Sequence, residues 1–174
     1  INLSTFSPRA CYSEGKRIAE TLINVFGKIN NFETRLARVF NTYGPRLNID
    51  DGRVISNFIN QSLKNKKLTI YGDGLQTRSF CYVNDMVHGL MRLMESEYSK
   101  PVNLGTDQEI NILDLALLIK SKINPQISFE FFDLPLDDPM CRKPCLDLAK
   151  RELGWDPKID FSEGLEKTAA YFKI

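Results

Sequence analysis

A long helix, a short apolar strand and an abrupt stop, in that order, most limit what this chain can fold into. Ile18, Ala19, Leu22, Val25 and Phe26 recur at helical spacing in a helix expected from about Ala10 to Lys28. That spacing predicts a buried apolar stripe. Asn30-Asn31 ends the helix, and Glu33 to Phe40 is short and alternates toward branched and apolar residues, as in a strand of a parallel sheet. Asn41-Thr42-Tyr43-Gly44-Pro45 breaks the strand at its C-terminal end. In open α/β sheets, ligands sit at such ends.

The remainder continues the alternation. A loop at Asp50-Asp51-Gly52 leads to a helix over Val54 to Lys64. A strand at Leu68 to Tyr71 reaches a Gly72-Asp73-Gly74 turn, and Arg78 to Val83 alternates as a second strand. Asn84 can cap a helix through Met94 whose Val87, Leu90, Met91 and Met94 read as a core stripe. Pro101 to Leu104 is a short strand, Asn111 starts a periodic helix over Ile112 to Ile123, and Ile127 to Phe132 is a strand. A proline-punctuated loop, Leu134 to Pro144, precedes helices at Leu146 to Leu153 and Phe161 to Phe172, with Trp155 as the packing anchor between them. There is no repeat, low-complexity tract or linker, so composition marks no domain boundary.

Composition excludes several functions. With 23 basic and 22 acidic residues the net charge is +1, which gives no broad field for nucleic acid or anionic lipid. No apolar run approaches the roughly 20 residues of a membrane span. Cys11, Cys81, Cys141 and Cys145 are scattered, and His88 is the only histidine, an inventory that makes neither an ordinary zinc site nor a disulfide framework. Reduced thiols and a cytoplasmic setting are the expectation. The chain opens on Ile1 rather than Met, and the reading is a piece of a longer protein.

The chemistry centres on Pro8-Arg9-Ala10-Cys11-Tyr12-Ser13-Glu14-Gly15-Lys16-Arg17. On a helix, Tyr12 and Lys16 lie one turn apart on one face. A nearby cation favours the ionised form of a phenol, which makes the two a candidate acid/base pair. Six tyrosines in 174 residues make a chance Tyr-x-x-x-Lys common, so the pair alone carries little. Its company carries more: Arg38-Val39-Phe40-Asn41-Thr42-Tyr43-Gly44-Pro45-Arg46, Asp51-Gly52-Arg53-Val54, and Tyr71-Gly72-Asp73-Gly74-x-Gln76-Thr77-Arg78. Together these resemble the extended short-chain dehydrogenase/reductases that act on nucleotide sugars, and within them the UDP-glucuronate decarboxylases. The likeness runs from about Pro8 to the C-terminus and covers about the second half of a family member.

That resemblance implies an α/β fold: the C-terminal part of a Rossmann-like doubly wound parallel sheet, interleaved over residues 1–174 with a small α/β substrate-binding subdomain. It implies NAD as cofactor and a UDP-sugar as substrate. Oxidation at C4 of UDP-glucuronate would make a β-keto acid, CO2 would leave, and the hydride would return to give UDP-xylose. Tyr12 would be the base and Lys16 would hold the nicotinamide ribose, with Thr42 and Arg53 also facing the cofactor. Asn41, Ser56, Asn57, Phe58, Tyr71 and Gln76 would face the substrate. Arg78 would hold the diphosphate, and Arg142 the diphosphate or the sugar carboxylate, since a guanidinium grips such oxygens with two parallel bonds. The family's Ser/Thr partner of the tyrosine has no candidate here, Ser4 and Ser7 being too close to Tyr12, and Cys145 stands where relatives usually carry Asp. Relatives pair through helices of a four-helix bundle, so a homodimer through the Tyr12 helix is expected.

No Gly-x-x-Gly-x-x-Gly or Gly-x-Gly-x-x-Gly occurs in the 174 residues. The expectation is therefore that the NAD-binding half is absent and that these residues are inactive alone and prone to associate. A 4-epimerase, a 4,6-dehydratase and a non-catalytic UDP-sugar-binding module are the alternatives.

Overall fold

The structure, a computed structural model, describes residues 10–135 and 138–173. Fifteen elements follow one another: α1 (Ala10–Asn30), β1 (Ala37–Val39), β2 (Thr42–Tyr43), α2 (Val54–Leu63), β3 (Leu68–Tyr71), β4 (Thr77–Arg78), β5 (Cys81–Tyr82), α3 (Val83–Glu95), β6 (Val102–Leu104), β7 (Ile110–Asn111), α4 (Ile112–Ile123), β8 (Phe129–Phe132), β9 (Cys141–Arg142), α5 (Asp147–Leu153) and α6 (Phe161–Phe172). The fold is α/β with parallel strand pairs, as expected. β1 pairs with β6, β2 with β5 and β3 with β8, all parallel, while β4 lies between antiparallel β7 and parallel β9. The expected strand over Arg78 to Val83 is two shorter strands in different sheets. Nor does β4 fold back on β3 across the Gly72-Asp73-Gly74 turn, because Leu68 to Tyr71 takes its hydrogen bonds from β8 instead.

Two apolar cores organise these elements. Tyr43, Ile55, Phe58, Ile59, Leu68, Ile70, Leu115, Ile119 and Leu165 fill one. Cys81, Met86, Leu93, Val102, Leu104, Leu146, Ala149, Leu153 and Trp155 fill the other. Local signals place the helices: the Asn111 side chain accepts from Asp114 N at 2.6 Å to start α4, Asp160 accepts from Ser162 N at 2.8 Å to start α6, and Gly154 closes α5 at φ 56°, a left-handed value that suits glycine.

Four expectations are corrected. The stripe on α1 is present but uncovered: Leu22 is 59% and Phe26 63% exposed, and only Ala10 and Gly27 of that helix are buried. The stripe on α3 likewise faces outward, with Val87, Leu90, Met91 and Met94 exposed, while Met86, Gly89 and Leu93 turn inward. A periodic apolar face identifies a helix side but not what covers it. Asn84 does not cap α3 either. The helix begins straight from buried Tyr82, and the buried Asp85 carboxylate accepts from Lys158 N at 3.0 Å and Ile159 N at 2.8 Å. Trp155 packs with Ala149 and Leu153 of α5, as expected, but it joins α5 to α3 and not to α6: its Nε1 donates to Asp85 O at 3.1 Å, and its ring lies against Gly89. No helix among the described residues is long and apolar enough to cross a membrane.

Candidate functional site

Two arginines share one face of the small sheet made by β7, β4 and β9. Arg78 and Arg142 are register partners across the parallel pair β4 and β9, as are Thr77 and Cys141 one position earlier. Side chains alternate across a sheet, so the arginines point to one side and Thr77 with Cys141 to the other. The arginine side opens into a cleft of about 420 Å3, within the usual range for small-molecule sites. Asn41 and Thr42 after β1, Arg53, Asn57 and Phe58 at the start of α2, and Tyr71 and Gln76 flanking the glycine turn also line it. The first turn of α2 adds backbone N–H groups, which favour an anion.

The polar groups of the cleft are largely tied down. Arg78 donates to Thr77 O at 2.7 Å, to Pro139 O at 2.8 Å and to Asp138 Oδ2 at 2.8 Å, and its side chain is 12% exposed. Buried Gln76 donates to Tyr71 O at 2.7 Å, which fixes the glycine turn. Thr42 Oγ1 donates to Phe40 O at 3.0 Å, and Asn57 Nδ2 to Gly52 O at 3.2 Å. Arg142 is exposed, and Arg53 lies 3.4 Å from Asp51 with its side chain 62% exposed. Burial pushes the Tyr43 phenol well above the ordinary tyrosine range, and its hydroxyl donates to Phe161 O at 3.1 Å, so Tyr43 is a packing residue of the wall.

Ser56 does not line the cleft. It is fully buried, and its hydroxyl bonds the Asp51 carboxylate and Arg53 O, so it fixes the loop that precedes α2. Sequence reasoning missed Asp138, the one carboxylate among the lining residues described. Nothing local marks it, because its partner Arg78 is 60 residues away in sequence.

Tyr12 and Lys16 are placed together but apart from the cleft. Lys16 Nζ stands 5.6 Å from the Tyr12 ring centre, both are exposed on α1, and neither lines the cavity that holds Arg78 and Arg142. Pro8 and Arg9 of the motif, the loop expected over Ile1 to Pro8, and Ser4 and Ser7 lie outside the described residues.

Comparison with known proteins gives the lineage. A model of the NAD dependent epimerase/dehydratase family matches residues 1–105. UDP-glucuronic acid decarboxylase 5 of Arabidopsis thaliana is 49% identical over 173 residues, which is 99% of this chain and 51% of that protein. The UDP-glucose 4-epimerase of Thermotoga maritima, solved with UDP-glucose, superposes with a TM-score of 0.88 at 27% identity, covering 93% of this chain and 53% of the epimerase. The UDP-glucuronic acid 4-epimerase of Bacillus cereus, solved with UDP-glucuronic acid and NAD, gives 0.81 at 29% identity, covering 88% and 49%. The chain spans about half the length of the curated relatives it matches.

Proposed function

The chain belongs to the NAD dependent epimerase/dehydratase family, and from that membership we propose that it forms the nucleotide-sugar side of a UDP-glucuronate decarboxylase site. The carrying observation is the Arg78 and Arg142 pair, in register on one sheet face and lining one cleft. Two guanidinium groups there suit a diphosphate, which offers several anionic oxygens to paired N–H donors. Asn57, Phe58 and Tyr71 then border the nucleoside and sugar. The identity of 49% to a UDP-glucuronic acid decarboxylase favours decarboxylation as the outcome.

Of the contacts a dinucleotide needs, these residues fit one end only. Thr42 and Arg53 line the cleft and can face a nicotinamide ribose there, whereas Tyr12 and Lys16 stand outside it, and the 174 residues contain no glycine-rich strand-turn-helix for the pyrophosphate. A complete dinucleotide site requires a glycine-rich segment outside these residues, and the role of Tyr12 requires that its face of α1 meet the cleft. When bound, NAD supplies a hydride acceptor and donor. Tyr12 takes the proton from the C4 hydroxyl and returns it at the end, while Lys16 keeps the phenolate close to a cation. Arg78 and Arg142 hold the diphosphate and so fix one end of the substrate in the cleft. The carboxylate of a 4-keto acid leaves as CO2 because the ketone accepts the electron pair, and the resulting enolate takes up a proton from solvent at C5 before the ketone is reduced. Pairing of two copies through the apolar face of α1 and a cytoplasmic setting are parts of the same reading.

Calorimetry on the 174-residue chain tests it: UDP-glucuronate and UDP bind, and NAD does not. Absence of UDP binding would remove the proposal. In a protein that also carries the dinucleotide segment, CO2 and UDP-xylose are the expected products. UDP-galacturonate without CO2 would favour the 4-epimerase reading, which has the likeness to the Bacillus cereus enzyme behind it.

A further inference from the structure

Behind the two arginines, the opposite face of the same sheet carries a carboxylate joined to three partners. Thr77 Oγ1 donates to Glu109 Oε1 at 2.6 Å, Cys141 Sγ donates to the same oxygen at 3.0 Å, and Lys143 Nζ lies 2.8 Å from Oε2. Glu109 immediately precedes β7, Thr77 is on β4, and Cys141 and Lys143 bracket Arg142 on and just after β9. One side chain thus links all three strands from behind. β9 is two residues long, and Thr77 N donates to Met140 O at 2.8 Å just before it. So short a strand has few ladder bonds of its own to set its register, and a register slip of one residue would turn Arg142 to the wrong face.

We propose that Glu109 is a positioning residue: by holding Thr77, Cys141 and Lys143 on the reverse face, it keeps β9 in register and Arg142 beside Arg78 for a diphosphate. The second half of this statement rests on the nucleotide-sugar reading; the first does not. Three observations converge on it. The partners of Glu109 are the sequence neighbours of the two arginines, the alternation puts them on the opposite face, and Glu109 itself lies outside the cleft lining. The strong hydrogen bonds to the ionised carboxylate agree, since they hold it well below the usual carboxylate range.

Two readouts decide the matter in the full 174-residue chain, using Glu109→Ala and Glu109→Gln. Backbone amide exchange over residues 140–143 should quicken at least tenfold in Glu109→Ala, with α4 and β3 unchanged. Glu109→Gln, which keeps an acceptor oxygen for Thr77 and Cys141 but loses the Lys143 charge pair, should fall between. By calorimetry UDP should weaken about 5- to 20-fold in Glu109→Ala, while uridine, which lacks the diphosphate, keeps its affinity. Unchanged exchange over 140–143 overturns the proposal, and so does an equal loss for UDP and uridine. If wild-type chain binds no UDP while exchange responds as stated, the strand clamp stands and the nucleotide-sugar reading falls.

Discussion

Removing either arginine should weaken UDP binding, but only one removal should also unfold the protein more easily. Arg78 makes hydrogen bonds of 2.7 and 2.8 Å to two carbonyl oxygens and pairs with Asp138 at 2.8 Å, with side chains only 12% and 19% exposed. Each carbonyl bond contributes about 1 kcal/mol net, and loss of a part-buried ion pair costs about another. Arg78→Ala therefore costs about 3 kcal/mol, a fall in Tm of roughly 6 to 12 °C for a chain of this size. Arg142 is exposed on β9, so Arg142→Ala should stay within about 0.5 kcal/mol of wild type. On the proposed nucleotide-sugar reading, each substitution should remove one charge-assisted contact to the diphosphate, about 1.5 to 3 kcal/mol, or roughly 10- to 150-fold in Kd. Arg78→Lys keeps the charge without the forked donors and should recover only part of both losses. Scanning calorimetry reads the stability and titration calorimetry the binding. Equal Tm losses in the two alanine variants, or undiminished UDP affinity in Arg142→Ala, would refute the reasoning.

Gly89→Ala would put a methyl 2.9 Å from Cε2 of Trp155, an overpacking that should cost about 1 to 3 kcal/mol by chemical denaturation. Asp85→Ala leaves the amides of Lys158 and Ile159 without their acceptor, and a loss of about 2 to 4 kcal/mol is expected, with most of it recovered in Asp85→Asn. The bonds from Cys141, Lys143 and Thr77 depress the Glu109 carboxyl from 4.5 to about 2. A depressed carboxyl contributes stability above its unfolded value and loses it as pH falls through the folded one, so the Tm advantage of wild type over Glu109→Gln should shrink from pH 4.5 toward 2. A constant difference across that range would contradict this assignment.

How much of this was legible depends on how local the signal was. Helix α4 was readable because Asn111 caps it and its apolar period is strong, and strand β3 because Leu68 to Tyr71 runs into a glycine turn. The division of Arg78 to Val83 into β4 and β5 was not, since one piece pairs with β7 and β9 and the other with β2, choices made by residues tens of positions away. The exposed faces of α1 and α3 show the same limit, for periodicity reports a face and not its neighbour. Within the cleft, Arg78, Arg142, Asn41, Thr42, Arg53, Asn57, Phe58, Tyr71 and Gln76 were singled out through motifs and converge in space. Asp138 and Glu109 belong to no motif, and only the pairing of β4 with β7 and β9 reveals them. Tyr12 and Lys16, the loudest motif, stand outside the cavity.

Cys81 and Tyr82 are consecutive residues of one two-residue strand, yet the first is embedded among Met86, Leu104 and Trp155 and the second among Tyr43, Ile55 and Leu165. The chain returns to the first of these groups at α5 and to the second at α4 and α6. Its two bodies are thus laced together like the halves of a shoe, with the thread passing back and forth instead of running out one and into the other. The cleft-bearing half is therefore not a contiguous cassette that could be excised and grafted onto a foreign scaffold.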